Sequence, residues 1–208
     1  LQVLTGAATG AAGNSVAMES QEKNHQDMRR LNFLYMWAAG LFAICMLCLY
    51  QPFMRLLAVD RMLLRVSTRV LFCVYLYLLK IGDVMSIYSG TRGLFWEQRY
   101  ITIAEAVGNI TLNYFLGKHF GIAGILWATI ITMLGINFLW GCHVPFRHYF
   151  THFSANQYNL WHLKRGAVTL VVGAVTYWVC GVVTISGIPG LIVTGLICVV
   201  LPLSLIPL

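Results

Sequence analysis

The residues best placed to do chemistry are the few charged and amide side chains set inside long apolar runs. Lys80 and Asp83 lie three apart in an otherwise apolar segment, a spacing that lets them pair on one helix face. Arg69 shares that segment, near its outer end, where a long side chain can reach the interface. Glu105, Asn109 and Asn113 follow one another at four-residue steps and form a polar stripe on a single helix face. A charge at the centre of a bilayer costs about 2.5–3.5 kcal/mol on insertion scales. Such residues persist where they pair with one another, bond to a neighbouring helix or line a polar cavity. These six residues are therefore the candidates for a substrate pathway.

Other constellations carry less. His143, His148, His152 and His162 cluster in one segment, and His148 and His152 have the spacing for one helix face. A single such pair supplies too few ligands for a tightly held metal, so no metal is expected. Cys45 and Cys48 form a CxxC inside an apolar run without a second pair, and the six cysteines read as small packing residues. No nucleophile with an oriented base, phosphate loop or carboxylate pair is present, so no catalytic residue, enzyme activity or cofactor is expected.

The elements that must position these residues are membrane helices. Of 208 residues, 59% are hydrophobic and only 10% charged, and mean hydropathy is +0.73. A soluble domain carries roughly 25% charged residues. The sequence predicts an all-α integral membrane protein, a polytopic helical bundle of about seven spans, at 1–17, 31–50, 66–88, 100–117, 120–142, 166–185 and 190–208. In the first span Gly6 and Gly10 share a face with Asn14, which fits close helix packing. Pro52 marks the end of the second span or a kink in it. Lys118 and His119 form a tight connection, and Ser186 to Gly190 form a turn. No charge occurs after Arg165, so the last two spans form a hairpin embedded in lipid or protein.

The formal net charge of +7 is explained by the loops. Lys23, Arg29, Arg30, Arg92, Arg99, Arg147, Lys164 and Arg165 fall in 18–30, 89–99 and 143–165, whereas the opposite connections hold Arg55, Arg61, Arg65 and Lys118. The first set is assigned to the cytoplasm. Asp60 is the acid of the basic 51–65 loop. Trp96, Tyr100, Trp140 and Trp161 near span ends fit an interfacial aromatic belt. No nucleic-acid-binding pattern accompanies the positive charge, so nucleic acid is not an expected partner.

Three stretches then carry a family resemblance. AAGNSVAMESQEKNHQDMRRLNFLYMW, from Ala11 to Trp37, runs from a small-residue helix end through Glu-Ser-x-Glu-Lys to an Asn-Phe-x-x-x-Trp span. RGLFWEQRYITIAEAVGNITLNYFLGKHFGIAGILWATIIT, from Arg92 to Thr132, carries a Gly-Leu-Phe-Trp loop, an Arg-Tyr helix start, Glu105, Asn109 and a Gly-Ile-x-Gly-x-x-x-x-Thr stretch. VPFRHYFTHFSANQY, from Val144 to Tyr158, looks like the cytoplasmic segment before a last helix pair. Together they make the chain resemble the polysaccharide flippase (Wzx-like) family of the multidrug/oligosaccharidyl-lipid/polysaccharide exporter superfamily.

The resemblance implies half of a twelve-to-fourteen-helix, two-bundle transporter in the bacterial cytoplasmic membrane. Such proteins move undecaprenyl-pyrophosphate-linked oligosaccharide across that membrane by alternating access, for surface polysaccharide biosynthesis, with a cationic cavity for the carrier. The chain is read as the C-terminal bundle, with membrane lipid and a missing N-terminal bundle of the same protein as partners. Lys80 is the first choice for carrier contact, followed by Glu105 and Asn109. Three alternatives stand beside it. One is a cation-coupled small-molecule or drug exporter of the same superfamily, which the cations of 51–83 disfavour. Another is a membrane enzyme of polysaccharide assembly, a polymerase or acyltransferase, which would carry a long periplasmic loop or a catalytic His within a span. The last is a degenerate half without activity.

Overall fold

The computed structural model describes residues 2–57, 61, 63–183 and 187–205; the side chains of 2–5 are not described. The described chain is helical throughout and contains no strand: α1 (Gln2–Met18), α2 (Gln21–Leu56), α3 (Val66–Thr91), α4 (Phe95–Phe120), α5 (Ile122–Thr132) continued by a π-helical stretch (Met133–Trp140), α6 (His143–His148), α7 (Ala155–Val182) and α8 (Gly187–Leu205). Five stretches of it are long and apolar enough to cross a membrane: Gln21–Leu56, Val66–Thr91, Ile122–His148, Ala155–Val182 and Gly187–Leu205. The protein is an all-α polytopic membrane bundle. Its surface says the same, because Ile110, Leu170, Trp178 and Leu196 are each at least 60% exposed, a surface that suits lipid rather than water.

Several boundaries differ from the sequence expectation. The polar segment 18–30 is not a loop: α1 and α2 are separated only at Glu19 and Ser20. Its Glu, Gln, Lys and Arg residues are good helix formers, so α2 starts ten residues before its apolar stretch. At 36 residues α2 is about 54 Å long, well beyond the ~30 Å hydrocarbon layer, and its polar first turns stand outside it. Pro52 does not end the helix, which runs on to Leu56. The connection expected at Lys118 and His119 comes too early, because both residues belong to the last turn of α4, which runs to Phe120. The chain reverses at Gly121, whose φ of 59° favours glycine. The last residues of the 143–165 segment belong to α7. Helices also stand at the first and fourth expected spans, but neither is among the five. α1 is short, and the apolar runs of α4 are interrupted by Glu105, Asn109 and Asn113. Asp60, Ser186 and the last three residues lie outside the described residues.

The chain divides into two compact units, residues 1–35 with 78–161, and residues 36–77 with 162–208. In the first, Met28, Val84, Tyr88, Phe146, Phe150 and Tyr158 are core members. Several buried polar groups there are bonded: the Asn24 amide nitrogen donates to the Ser15 carbonyl at 3.1 Å and to that of Ser20 at 3.0 Å, and the Tyr158 hydroxyl donates to Asn32 Oδ1 at 3.3 Å, whereas Asn24 Oδ1 and Gln21 Oε1 are buried without a partner. α4 and α5 form a tight hairpin. A Cβ placed on Gly124 would sit 1.9 Å from the Leu116 carbonyl oxygen, so the backbones meet where only glycine fits.

The second unit is built on Ile44, Cys48, Val172 and Cys198, with Trp37, Cys45 and Cys180 packed against them. Thr176 and Thr194 are buried polar residues of this unit, and the Thr176 hydroxyl is satisfied by the Val172 carbonyl at 2.8 Å.

Candidate functional site

The second unit contains a half-open cavity of about 1090 Å³. Its walls come from the end of α2, residues 64–66 and the first turn of α3, the end of α7 and the start of α8. Arg55, Arg65 and Arg69 all line it, with Gln51, Tyr177 and Thr194, and no acidic residue is among the described lining. The local sequence explains the grouping. Arg55 falls in the last turn of α2, Arg65 immediately precedes α3, and Arg69 follows one turn later on the same face.

Arg69 is the centre of this arrangement. It does not reach out to the interface: the residue is only 6% exposed. One guanidinium nitrogen donates to the Leu47 carbonyl at 3.0 Å, and the group lies 5.9 Å from the centroid of the Tyr177 ring. Its Nε is buried without a hydrogen-bond partner. Gln51 donates to the Leu64 carbonyl, which ties the end of α2 to the segment before α3, and its Oε1 is likewise buried and unpartnered. The cations of this cavity, Arg55 and Arg65 exposed and Arg69 buried, favour an oxygen-rich ligand, although the Nε of Arg69 is itself closed off from solvent. An anion gains further, because a guanidinium offers several N–H groups in a fixed fork suited to phosphate.

The remaining candidates lie in the first unit, in two groups. Lys80 Nζ and Asp83 Oδ2 are 2.7 Å apart, with side chains 17% and 24% exposed, so they form the ion pair that their spacing predicts. The stripe on α4 bonds to α5. Asn109 donates to the Thr132 hydroxyl at 3.1 Å, and Asn113 donates to Asn109 Oδ1 at 2.7 Å. Glu105 is turned towards the Asn137 amide on the π-helical stretch. Asn137 also lines a small crevice with Gly82, Met85 and Tyr158. The polar stripe thus has a helix-packing role, and Asn113 Oδ1 is left buried without a partner.

Other expectations change. α6 ends at His148, and Tyr149 departs from helical geometry, so His148 and His152 do not share a helix face. The cysteines, read as small packing residues, do pack in the core of the second unit, and some of them also meet one another. Cys48, Cys180 and Cys198 bring their sulfurs within 4.8 Å of one another. Arg55 and Arg65 were legible only as loop cations. Their density around Arg69 was the available signal, but nothing local places them on one cavity. Comparison with protein-family models, curated proteins and solved structures returned no match.

Proposed function

We propose that this chain is a bundle of a lipid-linked oligosaccharide flippase, which moves an undecaprenyl-pyrophosphate-linked sugar unit across the bacterial cytoplasmic membrane. The observation that carries this reading is the cavity lined by Arg55, Arg65 and Arg69, with no acidic residue in its described lining. A pyrophosphate needs cationic, forked donors in a low-dielectric site, and an isoprenoid tail needs an apolar surface beside it. Arg55, Arg65 and Arg69 supply the first, and Trp178 with the exposed apolar residues of α7 and α8 supplies the second. Tyr177, Gln51 and Thr194 offer hydroxyl and amide groups to sugar hydroxyls.

The cavity lies where α2 and α7 end and α3 and α8 begin. With 18–30, 89–99 and 143–165 assigned to the cytoplasm, these are the extracytoplasmic ends of the helices. The cavity is then the outward mouth of an alternating-access pathway, completed by a second bundle. Nothing in this step makes or breaks a bond, and its work is conformational. A cation-coupled exporter would instead place carboxylates in its cavity, and here the described lining is basic.

The test replaces the three arginines by glutamine, singly and together, in the full-length protein, and measures surface polysaccharide per membrane-inserted protein. A charge-assisted hydrogen bond is worth about 1.5–3 kcal/mol, so Arg69→Gln is expected to lower export about tenfold or more. Normal export from the triple variant at normal protein level refutes the reading.

A further inference from the structure

Five of the six cysteines lie in the second unit, and four of them gather in one place. Cys45 and Cys48 stand on successive turns of α2, Cys180 near the end of α7 and Cys198 in the middle of α8. The sulfurs of Cys48, Cys180 and Cys198 all lie within 4.8 Å of one another, and those of Cys180 and Cys198 are 3.7 Å apart. All are free thiols. Cys45 stands beside the group with its sulfur 3.9 Å from the Cys198 carbonyl oxygen.

We infer that Cys48, Cys180 and Cys198 form a soft-metal site for a monovalent d10 cation of the copper(I) class. The geometry is the first reason. A metal bound by thiolates at about 2.3 Å holds its sulfurs roughly 3.8–4.0 Å apart, so the three thiols need a further approach of less than about one ångström. The ligand set is the second. It contains sulfur only, which selects soft ions over magnesium, calcium or manganese. Zinc asks for four ligands in a closed site, whereas a trio of sulfurs suits the lower coordination number of copper(I).

Access is the third reason. Cys48 and Cys180 line the same cavity as Arg55, Arg65 and Arg69. An ion can therefore reach the trio without crossing the core. On binding, sulfur–copper bonds replace S–H bonds, the protons leave through the cavity, and the copper stays in its reduced state. The site is separate from flipping and stands or falls without it.

The test uses the whole protein, purified in detergent under reducing conditions and titrated with copper(I) held by a colorimetric chelator. Wild type is expected to withdraw stoichiometric copper from the chelator. That uptake is lost when Cys48, Cys180 and Cys198 are changed to Ser and kept when Cys73 and Cys142 are changed instead. X-ray absorption of the copper-loaded wild type, which needs no variant to fold, is expected to show a sulfur-only shell. No withdrawal of copper, uptake unchanged in the triple Ser variant, nitrogen or oxygen in the shell, or preferential uptake of zinc would each overturn the inference.

Discussion

Removing Asp83 alone is expected to be more harmful than removing Asp83 and Lys80 together. The Lys80 ammonium and Asp83 carboxylate are 2.7 Å apart and mostly shielded, in the middle of a helix that is apolar and long enough to cross the membrane. At an effective dielectric of about 20 their gross attraction is about 6 kcal/mol, and desolvation of both groups offsets most of it. The net worth of the pair is therefore small. The penalty for orphaning one partner is not, since an unpaired ammonium within a span costs about 2.5–3.5 kcal/mol. Asp83→Ala should therefore lower stability by about 2–3 kcal/mol, and Lys80→Ala by a similar amount through the stranded carboxylate. The double change should recover most of that loss.

The assay is membrane protein level and thermal stability in detergent for the two single variants and the double, with surface polysaccharide measured in the same cells. A double variant no more stable than the singles would refute the ion-pair account and leave each charge with its own separate partner. Export separates two further roles. If Lys80 also touches the carrier, the double variant regains protein level without export; if it is only a partner for Asp83, export returns as well.

Two other expectations rest on the first unit. Gly124→Val should open the α4–α5 hairpin, because even a Cβ would meet the Leu116 carbonyl at 1.9 Å. A loss of about 3 kcal/mol or more is expected in thermal unfolding, and an unchanged midpoint would show that the two helices do not meet there. His25, in the polar first turns of α2, stacks on Phe153 with ring centroids 3.6 Å apart. Burial, helped by Arg29, holds its imidazole below the ordinary value of 6.5, so the fold prefers it neutral. Stability should fall as pH drops below about 6.5, because the unfolded chain takes up the proton first. His25→Phe should flatten that slope between pH 7 and 5, and an unaltered slope would remove His25 as the cause.

The sequence by itself determined most of what depends on composition and on neighbours a turn apart, though not the face of His148 and His152, whose helix ends between them. Apolar runs with few charges fixed a helical membrane protein, since backbone polar groups in lipid must bond within their own helix. The three-residue spacing fixed the Lys80–Asp83 pair, and the four-residue steps fixed one face for Glu105, Asn109 and Asn113. The helix ends were less legible, because polar residues such as those of 18–30 extend a helix as readily as they form a loop. Only the tertiary structure decided which distant residues meet. Arg55 and Arg69 belong to different helices, and Cys48, Cys180 and Cys198 to three. Their grouping depends on the packing of α2, α3, α7 and α8, whose exposed faces are apolar nearly all round and carry no periodic mark of which side turns inward. The burial of Arg69 was decided in the same way. A cation near the end of a span reaches for the interface unless the neighbouring helices offer a carbonyl and an aromatic ring, which Leu47 and Tyr177 do here.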